Sequence, residues 1–343
     1  MKKILCICLF SLLAGPVLGQ TSLSQALPLL QLPVRTPAQT QQVLSLFRTA
    51  KDPNMIFAAG ASLVKIPPAR TDESILLNQI ISATDPLKTA FSAIILTAMG
   101  STYQELSPLL KDVLTSKDPV LRAYAAGAYA LVNPADKTHL KEVVVLYMFD
   151  AAFAQRAANM LSANAEEQLA LLKKYASDAD PQARAAAAAW LGTLHTPQAL
   201  ELLFKRTQKE TDPAVQTQLA LALAKNRDEA LETAVEGLAL PYKKPAATTY
   251  ALALGFMTGN SVSFLKSALL SPDTNQRVNA LRAAAYMAGV LSNPDAFTYS
   301  SDRVFDIHLL KGLIAPITAL AQNGSADEKT YAQNALSQIE KLM

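Results

Sequence analysis

An Asp-Pro dipeptide recurs along this chain at a nearly constant interval, and that phase limits the possible fold more than any other feature. It occurs at Asp52-Pro53, Asp85-Pro86, Asp118-Pro119, Asp180-Pro181 and Asp212-Pro213, in steps of 33, 33, 62 and 32 residues. Asp150 divides the long step into 32 and 30 and opens an Ala-rich run without the Pro. Asp is a strong helix N-cap, and Pro is preorganised for the first helical position, where its missing N–H costs nothing. Each mark therefore predicts a helix start. The phase continues at Lys244-Pro245 and Pro272-Asp273 and ends in a degenerate copy near Ser325, which makes nine copies.

After each mark comes a helix rich in Ala, the best helix former and small enough for a second helix to approach closely. Asp180 to Gly192, with five consecutive Ala from Ala185 to Ala189, is the clearest case. Between marks lie second amphipathic segments such as Leu106-Leu109-Leu110-Val113 and Leu200-Leu202-Leu203-Phe204, whose spacing sets one apolar stripe per helix. Asn133-Pro134 and Thr196-Pro197 read as start signals for two of these. The unit is helix A, a tight turn at the mark, then helix B. One such pair cannot bury its own stripe, whereas stacked pairs can. The expectation is an all-α fold, an α-solenoid of about nine stacked helix-turn-helix units over residues 36–343. Residues 20–35 form an extended or partly helical leader. The longest interruption is Leu291 to Asp302.

The N-terminus has its own logic. Lys2 and Lys3 precede a ten-residue apolar segment, Ile4 to Leu13, and Val17-Leu18-Gly19 offers small residues for cleavage. That is a secretory signal over residues 1–19, too short to span a bilayer. Both cysteines, Cys6 and Cys8, lie inside it, so the chain after Gly19 has neither disulfide nor thiolate. An exported, periplasmic or secreted location is expected. The chain carries 31 basic and 28 acidic side chains; without Lys2 and Lys3 the balance is 29 to 28, which gives no electrostatic case for nucleic acid. No later segment offers about 18 uncharged apolar residues, so a soluble mature chain without a transmembrane segment is expected.

The motif Asp-Pro-x-x-Arg, small residues, then Leu-Gly resembles the short HEAT-like repeats. Asp180-Pro181-Gln182-Ala183-Arg184 with Leu191-Gly192 carries the resemblance best. Asp118 with Arg122, and Asp273 with Arg277, keep the same separation, whereas Asp52, Asp85 and Asp212 are followed by Ile56, Thr89 and Gln216. The interval sits nearer the tetratricopeptide period, but the Trp-x-x-Leu-Gly-x-x-Tyr pattern of that class is missing. The HEAT-like resemblance implies a structural ladder in which Arg122, Arg184 and Arg277 pair with Asp118, Asp180 and Asp273 of their own or adjacent turns.

Two sets of aromatics are candidates for partner binding. Phe91, Tyr124, Tyr250 and Tyr331 fall six residues after their marks, as a recognition stripe or as inter-repeat core, and core is preferred. Phe297 and Tyr299 lie in the long loop, which is either a binding feature or an insertion before a capping copy. The histidines His139, His195 and His308 are scattered, and no nucleophile elbow, phosphate loop or metal motif is present. No cofactor is expected. The leading expectation is an exported non-catalytic scaffold holding a protein or peptide in a groove lined by the B helices. A self-associating envelope component is the alternative. Resemblance to HEAT-like bilin lyases is the enzymatic one, disfavoured because their substrates are cytoplasmic.

Overall fold

The marks start helices by the expected chemistry. The side chains of Asp52, Asp85, Asp118, Asp150, Asp180, Asp212 and Asp273 each accept a backbone N–H from the first turn of the helix that follows. Lys244 opens its helix without a side-chain cap, and Ser325 forms a capping box with Glu328. Each cap is worth about 1 kcal/mol of local stability. The computed structural model describes residues 22–162, 164–293 and 302–342. Residues 1–19, where a secretory signal is expected, and the loop residues Phe297 and Tyr299 lie outside the described residues.

Among the described residues there are helices and turns and no strand. The chain divides into two compact units at Gln168/Leu169. The first contains α1 (Leu23–Leu30), α2 (Pro37–Thr49), α3 (Pro53–Lys65), α4 (Glu73–Ser82), α5 (Pro86–Ala98), α6 (Leu106–Val113), α7 (Pro119–Val132), α8 (Leu140–Leu146) and α9 (Ala151–Leu161). The boundary falls within α10 (Ala165–Tyr175). The second unit continues with α11 (Pro181–Leu191), α12 (Pro197–Thr207), α13 (Pro213–Lys225), α14 (Arg227–Glu236) and α15 (Pro245–Phe256). It ends with α16 (Val262–Leu269), α17 (Thr274–Ser292), α18 (Arg303–Lys311), α19 (Ile314–Asn323) and α20 (Ala326–Glu340). Nine A–B pairs result among the described residues, the ninth with its A layer split into α18 and α19.

In the first unit the B helices close on themselves. Helix α3 packs on α5, α5 on α7, α7 on α9, and α9 returns to α3. Every residue of α5 from Ala90 to Ala98 is buried, and α7 has no exposed residue. Phe57, Phe91, Tyr124 and Phe153, one from each helix, run through this core with successive ring centroids 5.1, 6.2 and 6.4 Å apart. Gly60 makes room for the chain of rings: a Cβ there would lie 2.5 Å from Phe91 Cγ. The Arg156 guanidinium of α9 donates to the Ala98 carbonyl at the end of α5, at 3.0 Å.

The leader is part of this unit. Ser22 and Gln25 form a capping box at the start of α1, and Ala26 and Leu30 are buried. Buried Arg35 then donates to Ser62 Oγ, to the Ser62 carbonyl and to the Ile66 carbonyl at 3.0, 2.6 and 2.9 Å, which ties the segment to the end of α3.

In the second unit the B helices α11, α13, α15, α17 and α20 pack each on the next. Gly192 lets α13 approach closely, because a Cβ there would lie 2.6 Å from Ala222 Cβ and 2.7 Å from its Cα. The sole tryptophan, Trp190, is fully buried in α11. Helix α20 turns Lys329, Gln333, Asn334 and Ser337 to solvent, a polar end to the row.

One local expectation changes. Asn133-Pro134 does not start a helix: Asn133 ends α7, its side chain donates to Ser107 Oγ at 3.0 Å, and α8 begins only at Leu140. Thr196 does act as a cap, accepting from Ala199 N–H. By length and hydropathy alone Arg303–Asn323 could cross a membrane, at mean hydropathy 1.5, although it carries Arg303, Asp306 and Lys311. Within the fold it is the pair α18 and α19, with Asp306 and Leu310 turned inward.

Candidate interaction surface

The repeat-phase arginines hold turns together. Arg122 donates to the Ser116 carbonyl at 2.6 Å, Arg184 to that of Asp178 at 3.0 Å, and Arg277 to that of Ser271 at 2.6 Å. Each acceptor lies two residues before the mark, in the turn joining helix A to helix B. Gln216 stands at the same phase and does the same work, donating to the Glu210 carbonyl at 3.0 Å. For Arg184 the nearby Asp180 and Asp212 add electrostatic attraction, while its directional hydrogen bonds go to turn carbonyls and to Glu210. The carboxylates of Asp118, Asp180 and Asp273 cap their own helices, where the first-turn N–H groups need an acceptor.

The same side chains reach forward to the next copy. Arg184 makes a bidentate pair with Glu210 at 3.0 and 3.1 Å, Gln216 donates to the Pro245 carbonyl, and Arg277 pairs with Glu328. Glu210 is 1% exposed and also accepts from Arg206 and from the N–H groups of Thr211 and Asp212. Burial alone would raise its pKa. Arg184, the Asp212 N–H and Arg206 outweigh that and hold it at about 2. A planar guanidinium meeting a carboxylate at two points fixes distance and angle together, so this pair sets the stacking of copies five and six.

Neither aromatic candidate among the described residues is available to a partner. Tyr124 is 4% exposed and stacks on Phe153; Tyr250 is 2% exposed, and its hydroxyl accepts from Gln208. Both fill inter-repeat core, as the Ala and Leu on the same helix faces demand. Phe91 is likewise buried, and Tyr331 is partly exposed beside Tyr242.

What remains is the open side of the B row in the second unit. Ala189 of α11, Thr217 and Leu221 of α13, Thr248 and Leu252 of α15, and Tyr286 of α17 are partly exposed along their helices. Gly289 on α17 is exposed, with nothing near its missing Cβ. Arg282 sits among them, donating to the Tyr242 carbonyl at 2.9 Å and to Thr248 Oγ1 at 2.6 Å. The first unit has no counterpart at α5 and α7, because its B helices cover one another.

Residues 169–255, helices α10 to α15 almost in full, match the family model for HEAT repeats. That stretch is a HEAT-like repeat segment, and helix pairs of the same kind precede and follow it. Arrays of this class are repeat scaffolds for protein interaction, since stacking exposes one long face built from successive copies. No curated protein matches the chain. Among the described residues no cluster of His, Cys, Asp and Glu is arranged to hold a metal.

Proposed function

We propose that this HEAT-like array is an exported, non-catalytic scaffold that binds a protein or extended peptide along the open B-helix side of its second unit. The observation that carries the reading is the contrast between the units. Four B helices bury one another in the first, while five in the second lie side by side with Thr217, Leu221, Leu252 and Tyr286 reaching solvent. Leu221 and Leu252 offer apolar contact on successive copies, and the small Ala189 and Gly289 let a partner backbone approach closely. Thr217, Tyr286 and Arg282 supply polar contacts at the rim.

A photo-crosslinking residue placed at Thr217 or Leu252 tests this in the native envelope, with the exposed outer positions Glu201 and Lys205 as references. The expected result is one discrete adduct shared by the B-row positions and weakened by Leu221→Asp. Adducts formed only from the outer positions would refute the assignment.

A further inference from the structure

The outer A layer of the second unit changes character along the array. Helix α14 presents Asp228, Glu229, Glu232 and Glu236 to solvent, an acidic stripe at steps of one, three and four residues. Arg227, at its start, is turned to Asp228 at 3.4 Å. Two A helices further on, α18 exposes His308 and Lys311, with Asp302 and Arg303 at its start, where Asp302 caps Phe305 N–H and Arg303 donates to the Leu291 carbonyl; its own Asp306 is buried. Between them α16 adds Lys266.

The cationic end is also apolar. Val304 is 79% and Phe305 55% exposed on α18, and on the α16 segment Phe264 is 41% and Leu270 70% exposed. Large apolar side chains exposed on two helices of one outer layer are unusual where the polar end helix α20 shows that solvent-facing positions can be filled with Lys, Gln and Asn.

We infer that this layer is a self-complementary interface for a second copy of the chain. The order acidic α14, apolar α16, cationic α18 has the symmetry that a two-fold axis over α16 requires. Rotation about that axis sets the α14 carboxylates of each copy against Lys311 and its neighbours on the other, and Phe264 against its own equivalent. An isologous contact of this kind closes after two copies and does not propagate. The charge pairs fix orientation and the apolar centre supplies the burial. The A layer lies on the opposite side of the helix pairs from the B row, so both copies keep their proposed binding face.

Sedimentation velocity on the full chain reads the mass directly. The expected result is a dimer that weakens with salt. Glu229→Lys with Glu232→Lys in one variant, and Lys311→Glu in another, should each associate at least tenfold more weakly, and an equimolar mixture of the two should recover the dimer. Trp190 fluorescence checks that each variant is folded. Phe305→Ser should weaken association in the same way. A wild-type chain that stays monomeric at high concentration, or charge-reversed variants that dimerise like wild type, overturns the inference. A monomer that floats with anionic phospholipid vesicles through Phe305 would assign the face to a lipid surface and overturn it equally. Loss of the dimer with B-row crosslinking intact separates this surface from the one proposed above.

Discussion

Replacing Glu210 with Gln tests whether ion pairing between copies, beyond apolar stacking, holds the second unit in register. Despite its burial, the carboxylate sits at about 2 against its usual 4.5, because two guanidiniums and two backbone N–H groups serve its ionised form. At about 1.4 kcal/mol per pH unit, that difference links ionisation to roughly 3 kcal/mol of folded-state stability. A carboxyl with a lowered folded pKa contributes fully above its unfolded value and loses the contribution as the pH falls through its folded value. Glu210→Gln should therefore cost roughly 3 kcal/mol at pH 7, a gap that narrows from about pH 5 downward and is nearly closed at about pH 2. Urea unfolding followed by Trp190 fluorescence is the assay, since Trp190 lies in α11 with Arg184 and reports this copy directly. A pH-independent gap, or one below about 1 kcal/mol at pH 7, would show that the Arg184–Glu210–Arg206 cluster only breaks even against its desolvation.

Three further outcomes follow from the same geometry. Asp150 is 2% exposed, and burial raises its pKa despite the Phe153 N–H it caps. Its ionisation therefore opposes folding as the pH rises above the ordinary carboxyl range. Asn caps a helix as well as Asp does, so Asp150→Asn should raise the urea midpoint at pH 7, with the gain shrinking toward about pH 4. Gly192→Ala should destabilise by about 1–3 kcal/mol through overpacking, because the atoms a Cβ would meet include the Ala222 backbone, which cannot rotate away; a calorimetric midpoint equal to wild type would contradict that. Gly60→Ala should loosen the first unit's core in the same way, seen as faster amide exchange in α5 alone.

The helix starts were legible because capping is local: an Asp followed by Pro satisfies first-turn N–H groups whatever lies beyond. The period made the stacking legible too. Partner choice was not. Arg184 and Arg277 find Glu210 and Glu328, residues far along the chain, and Gln216 replaces an arginine that the motif led one to expect.

Tyr124 and Tyr250 show a second limit. A repeat-phase aromatic has the same spacing whether its face meets the next copy or solvent, so periodicity cannot choose. Closure of the first unit had no local signal either, since it rests on α9 returning to α3 and on Arg156 reaching Ala98. That closure removes half of the groove expected from nine identical copies. Asn133-Pro134 misled because Asn is equally suited to ending a helix, which is its place at the end of α7.

The most direct test of the whole account is thiol labelling of single cysteines in the two B rows. The chain beyond Cys8 has no native cysteine to interfere. Cysteine in place of Leu221, partly exposed on α13, should react with a maleimide readily in the folded state, while cysteine in place of Ala126, 1% exposed on α7, should react only on unfolding. Equal, rapid labelling at both positions would mean that the first unit is open, and the assignment of the binding face to the second unit alone would fall.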